Sequence, residues 1–478
     1  MFADLIIIGA GTAGMSCAII AAQRGKKVLV IEKSDRVGGT LHYTAGHLSA
    51  AGTNRQKLKG IADSTDEHYA DIVRISRNTM NPVLTRKGVD LAPITIDWLD
   101  KLGYPFHEKA PLLIYGHEPY CNPRTYLGIN DTPPTINAAG KTILNVLQPL
   151  WDQYIATGNI ECKLSTKMKS IERADDRITG IVIKNSESVE TIRATNYVLT
   201  TGGYASNPDF FNSVTENASR LISTANKDST GDGIIAVKEI GGLFSGSEKH
   251  SSTLGGIELI PGSGRVNFWG AWARVSNSMD RKQREIYVNE AGVRFMNEYD
   301  LNADERERVV LQQPNRRFWL IFDDHALKDG ACVVPQWTHE QLVKESQKNN
   351  AVWQANTITE LAQKIGLPIN TLSKTISQYN HYCETKSDLS FGRTYLDHPI
   401  KQAPYYAILV YAYSLISFGG IEVNENLQVL VENKIPIKNL YAAGEILGAA
   451  ATSGHAFCGG MLLTPALSFG KWLGEVLE

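Results

Sequence analysis

Three glycines, Gly9, Gly11 and Gly14, stand at G-x-G-x-x-G spacing with Thr12 and Ala13 in the gap, directly after the apolar run LIII at 5–8. That spacing suits a nucleotide diphosphate. The first glycine makes a tight turn, the second lets phosphate approach the backbone, and the third lets the following helix pack on the strand. The anion then rests at a helix N-terminus, where unpaired N–H groups and the helix dipole attract negative charge. A second apolar run, VLVI at 28–31, ends in Glu32, whose carboxylate can accept both ribose hydroxyls of an adenosine and disfavours a 2′-phosphate.

A second group of residues can move protons. Tyr115, Tyr120 and Tyr126 share one loop with His117 and Arg124. A tyrosine there can abstract a proton α to a ketone as phenolate, while backbone amides near Gly419-Gly420 or Gly460 polarise the carbonyl. Packing at a domain interface explains each single tyrosine as well. Arg124 can anchor a substrate carboxylate, or it can pair with a phosphate or a nearby acid. His117 and His250 fit either chemistry or a structural role. Phe268, Trp269 and Trp272 fit an apolar substrate wall or a core.

These residues need a scaffold, and the chain has length enough for one. A helix over 15–24, with Gly25 past its end, joins the two apolar runs into a βαβ unit. At 478 residues, with 43% hydrophobic residues, 21% charged residues and 41 glycines, the chain reads as an α/β protein of at least two domains. Lysine plus arginine is 48 against 50 acidic residues, so no broad basic face is available and nucleic acid is not an expected partner. The six cysteines are scattered without CxxC pairs or metal-ligand spacing, which predicts free thiols and no metal site. The first apolar run leads straight into the glycine turn and no later run has membrane-spanning length. A cytoplasmic protein is expected, or one whose signal has been removed.

Adenosine binding alone does not choose between NAD and FAD. Past Glu32 the chain reads K-S-D-R-V-G-G-T over 33–40, and here it resembles the fumarate reductase and succinate dehydrogenase flavoprotein family, which includes the 3-ketosteroid dehydrogenases. The resemblance continues through the glycine-rich loop GHLSAAG at 46–52, NYVLTTGG at 196–203, TGDG at 230–233, NLYAAGE at 439–445 and the G-G-x8-F-G pattern from Gly459 to Gly470. It implies FAD, and FAD contacts at Lys33, Gly38, Gly39, Thr40, Ala45, Gly46, Gly202, Asp232, Gly444, Glu445, Gly460, Leu462 and Leu463 besides the N-terminal turn. In relatives the acid at the position of Glu445 binds the ribityl chain. A helix beginning near Met461 would aim its N-terminus at the flavin edge where negative charge develops on reduction. The histidine of covalently flavinylated members falls on Thr40, with His42 off register, so the resemblance implies non-covalent FAD.

The resemblance also implies a fold: a Rossmann-like, glutathione-reductase-type FAD-binding domain (1–225 and 388–478) with an inserted α+β capping domain (226–387). Substrate is then expected between cap and flavin. The family's dicarboxylate-reductase positions hold Asn302, Phe457 and Ile416 instead of charged groups, so the resemblance argues against fumarate and for an apolar substrate. Tyr299, three residues before Asn302, and His455, just before the terminal glycine pair, join the catalytic candidates. The leading expectation is desaturation of a cyclic or apolar ketone by a tyrosine base and hydride transfer to flavin N5. An ene-reductase fed by an external electron donor and a non-catalytic redox-sensing flavoprotein stand beside it. No C-x-x-C-H haem attachment occurs, so an electron acceptor or donor is expected to be a separate molecule.

Overall fold

The computed structural model describes residues 3–114, 117–129, 139–215, 220–267, 270–275, 281–300, 302–348 and 350–478. Its central sheet has six strands. β1 (Ala3–Ile8), β2 (Val28–Ile31), β3 (Ile160–Lys163), β4 (Ala194–Leu199), β5 (Gln428–Val431) and β6 (Ile435–Ala442) lie in the order β5-β6-β4-β1-β2-β3. All neighbours run parallel except β5 and β6. Ile6, Ile7 and Val30 are fully buried, as expected of strands covered on both faces.

Helix α1 (Thr12–Gln23) shows no polar stripe, because every residue from Ala13 to Ala22 is buried. One side meets the sheet and the other meets the C-terminal helix. That contact is close enough to need glycine: a Cβ at Gly470 would overlap the carbonyl oxygen of Ala13, and one at Gly474 would lie 2.6 Å from that of Cys17. The two ends of the chain therefore form a single unit, with β6 reaching β1 through β4.

The cap is a second, mostly antiparallel sheet. Arg317–Asp323 pairs with Ile286–Val288 and with Tyr405–Tyr413, and the latter also pairs with Thr253–Gly256 and Val352–Ala355. This moves both expected boundaries. Tyr405–Tyr413, assigned by sequence to the returning part 388–478, is a central cap strand: Tyr406, Ile408, Val410 and Ala412 enter one core cluster while Ala407 enters another on the opposite face. Helix α2 (Asp232–Glu239), assigned to the cap within 226–387, sits on the cofactor side, where Asp232 pairs with Lys33 at 2.9 Å. Its Gly231 has φ 79°, so the T-G-D-G turn needs glycine there. The cap's last two helices, Ile358–Ile365 and Ile369–Thr385, are separated where Gly366 takes φ 71° before Pro368. Among the described residues no helix is long and apolar enough to cross a membrane.

Candidate cofactor cleft and active site

A cleft of about 1440 Å³, counting its open mouth, runs along the carboxyl ends of β1, β2, β4 and β6. Residues from distant parts of the chain meet on it: Gly9, Gly11, Thr12, Ala13, Glu32, Lys33, Gly39, Thr40, Gly202, Asp232, Gly444, Glu445, Leu462 and Leu463 all line its wall. The other expected contacts, Gly14, Gly38, Ala45, Gly46 and Gly460, do not line it. Gly14 packs on Gly9, Gly38 donates its N–H to the Ala10 carbonyl at 2.8 Å, Gly46 turns with φ 68°, and Gly460 lies against Ser49.

The cleft fits a dinucleotide on observations of its own. A Cβ at Gly9 would overlap the Thr200 carbonyl, whereas one at Gly11 would meet nothing within 4 Å, so the chain leaves open space where a diphosphate approaches. The Oγ1 of Thr201, on the cleft wall, is buried with no hydrogen-bond partner. Glu32 is buried and already accepts the N–H of Ala10 at 2.7 Å and of Ser34 at 2.8 Å. It thus fastens the glycine turn to the tip of β2 and keeps lone pairs for ribose. Asp232 is held by both Lys33 and Lys167, at 2.9 and 3.0 Å. At the other end Glu445 accepts the Ser417 N–H at 2.9 Å, and burial raises its carboxyl above the ordinary value. His42 donates its Nε2–H to the Val37 carbonyl at 2.9 Å, while Thr40 occupies the wall.

Among the catalytic candidates the structure separates roles. Tyr126 is fully buried and shares a hydrogen bond with Thr53 at 2.5 Å; Tyr120 donates to the Gly459 carbonyl at 2.6 Å and lies edge-on to His68. Burial raises both phenols well above their ordinary values, the reverse of what a phenolate base needs. Arg124, 1% exposed, is spent on Asp63, at 2.7 and 2.8 Å, and on Asp71, which removes it as a substrate anchor. Asn302 caps the helix α3 (Ala303–Leu311) by accepting the Glu305 N–H at 3.1 Å. Tyr299 lies against Tyr395 within the cap. His455 holds the Thr79 hydroxyl at 2.7 Å, and burial with Arg308 and Arg77 nearby lowers its pKa. His250 is edge-on to Phe211 and Phe418. Trp272 donates its indole N–H to the Leu254 carbonyl. Tyr115, Phe268 and Trp269 lie outside the described residues.

One constellation escapes the sequence reading. His117 Nδ1 lies 3.2 Å from Asp304 and 3.9 Å from Glu307, and its ring lies 4.4 Å from that of Phe457. Burial lowers the imidazole pKa, but Glu307 and Asp304 outweigh it and leave the pKa above the ordinary value. Burial raises the Glu307 carboxyl to about 8. In sequence, Asp304 and Glu307 belong to the charged run DERER, which reads as a solvated helix face.

The chain matches the family described as FAD binding domain over residues 4–462. It is 27% identical to an NADH:fumarate oxidoreductase of Klebsiella pneumoniae over 99% of its own length, and spans about half, 47%, of that longer relative. It is also 27% identical to a vinyl phenol reductase of Lactiplantibacillus plantarum, over 95% of this chain and 91% of the relative. The solved 3-ketosteroid Δ1-dehydrogenase of Sterolibacterium denitrificans superposes with a TM-score of 0.79 at 20% identity, covering 100% of this chain and 99% of that one, a likeness of fold. The chain therefore belongs to the FAD binding domain family, and FAD is its cofactor.

Proposed function

We propose that the protein reduces a C=C bond of a small, largely apolar substrate, using electrons from a separate donor. The observation that carries this reading is the state of Tyr120 and Tyr126. Ketone desaturation needs a phenolate base, and both phenols are buried, bonded to neighbours and held protonated. Reduction needs an acid instead. The names of the two relatives above, each matched along nearly the whole of this chain, support the same direction. Phe457 and Ile416 support an apolar substrate, since an unpaired carboxylate beside them would be costly to bury.

When bound, FAD supplies hydride exchange at flavin N5. The chain's own residues do the rest. Gly9 to Gly14 and the α1 N-terminus hold the diphosphate, Glu32 takes the adenosine ribose, and Glu445 takes the ribityl chain. Helix α4 (Leu463–Val476) begins on the cleft wall at Leu463, so the positive end of its dipole lies towards the cleft. The FAD is dissociable on this reading, because Thr40 offers no linking nitrogen and His42 is bonded to Val37.

Anaerobic titration tests the direction. Acrylate, urocanate, fumarate and 4-vinylphenol are added separately to dithionite-reduced enzyme, and cyclic ketones to oxidised enzyme. Reoxidation by an alkene is expected; bleaching of oxidised flavin by a saturated ketone, with no reoxidation by any alkene, overturns the proposal.

A further inference from the structure

The turn between Thr452 and Met461 is tied at its base by a hydrogen bond from the Thr452 hydroxyl to the Met461 carbonyl at 2.5 Å, and Thr452 and Leu462 both line the cleft. The turn carries Phe457 at the boundary with the cap. Two histidines approach that region in opposite states. His455 is held by Thr79, and burial with Arg308 and Arg77 nearby favours its neutral form. His117 lies against Phe457 with Nδ1 on Asp304, which leaves Nε2 as the nitrogen with a proton to give. About a fifth, 22%, of the His117 side chain remains accessible, while Asp304 and Glu307 behind it are 5% and 2% exposed.

Resting on the reductase reading above, we propose that His117 is the general acid of the reaction, oriented by Asp304 through Nδ1 and reprotonated at Nε2 from solvent, to which its side chain is partly open. The hydride that bound FAD would supply forms a C–H bond at one carbon as the π bond breaks. The electron pair left on the other carbon takes the Nε2 proton, so that a second C–H forms and the imidazolium becomes imidazole. Two electrons from an external donor and two protons from water restore the starting state.

The surroundings favour a protonated imidazole. Glu307 Oε1 is buried without a partner, as is the Tyr413 hydroxyl from the cap strand. Arg306 and Arg308, on the same helix as the two acids, already offset their charge. Arg308 is also paired with Glu305 at 2.6 Å, and Asp304 also accepts the Glu118 N–H at 3.1 Å. Among the described residues, Glu307, Asp304 and Arg306 bear on the charge of the imidazole and Phe457 lies against its ring.

The test uses the FAD-loaded full chain, reduced with dithionite and mixed with whichever alkene of the panel reoxidises it fastest. His117→Asn is expected to slow reoxidation by about 100-fold or more while the protein stays folded and keeps its FAD. Glu307→Gln is expected to retain the reaction but move its alkaline limb to lower pH, because towards and above about pH 8 the imidazolium no longer has the Glu307 carboxylate beside it. A structural role alone would not move that limb. If His117→Asn reoxidises within about 3-fold of wild type, or if the Glu307→Gln pH profile is unchanged, the assignment falls and the reductase reading stands. If no alkene reoxidises the wild type, the reading and the assignment fall together.

Discussion

Gly14 packs its α-carbon against the carbonyl of Gly9, so closely that a methyl group at 14 would overlap that oxygen; at Gly11, between them, a methyl would meet nothing within 4 Å. One glycine serves the protein's own packing and the other serves its ligand. Gly14→Ala should destabilise the fold by about 1–3 kcal/mol or more, since backbone must shift. Gly11→Ala should melt like wild type when stripped of flavin but recover little FAD. Thermal melts of the flavin-free proteins, followed by reconstitution and absorbance, read both.

Glu32 holds the Ala10 and Ser34 amides as well as facing the cleft, so its removal has two consequences. Glu32→Ala should cost on the order of 1–3 kcal/mol for each charged hydrogen bond lost and should shed FAD on gel filtration. Glu32→Gln, whose amide oxygen can accept only part of these bonds, should fall between. Full FAD retention in Glu32→Ala would remove ribose from its roles.

Much of the cleft wall is legible in sequence because the signals there are local. A glycine turn, a strand-ending acid and a helix start imply their ligand at fixed offsets, and even the distant Gly444-Glu445 sits at the end of an apolar strand. Boundaries and catalytic groups are less legible for a common reason. Tyr405–Tyr413 is apolar on both faces, which suits either sheet, and only its pairing with Arg317–Asp323 assigns it to the cap. Arg124 looks like a substrate anchor until Asp63 and Asp71, far back in the chain, are brought against it. Likewise Asp304 looks solvated until the loop carrying His117 closes over it.

The buried Arg124 makes a stability prediction where an anchor would make a kinetic one. Arg124→Leu strands two carboxylates and should cost on the order of 3–5 kcal/mol, seen as a lower melting temperature or insoluble protein. A folded Arg124→Leu enzyme with an intact melting temperature and a raised KM would restore the anchor reading.

Tyr120→Phe removes the hydrogen bond to the Gly459 carbonyl and leaves that oxygen without this donor, a loss of about 1–3 kcal/mol. Reoxidation of the reduced enzyme should stay within about 3-fold of wild type, because the phenol holds the turn and transfers no proton. Rapid mixing of dithionite-reduced Tyr120→Phe with the preferred alkene measures this; a rate lower by orders of magnitude would make Tyr120 catalytic.

The buried acid cluster also sets how stability depends on pH. Glu307 has an ordinary value of 4.5 and is raised to about 8 in the folded protein, so the folded state keeps a proton that the unfolded state has lost. Stability therefore falls as pH rises from about 4.5 towards about 8 and levels off above. His117, raised above 6.5, adds in the same sense: its contribution is full below that value and is lost as pH rises through the folded one. Asp304, lowered from 3.8, contributes stability that is lost only as pH falls through its folded value, outside this window. Melting temperature should thus be higher near about pH 6 than near about pH 9, and Glu307→Gln, which cannot ionise, should flatten that slope. An equally steep slope in Glu307→Gln would mean that other groups carry it and that Glu307 is ionised in the native protein.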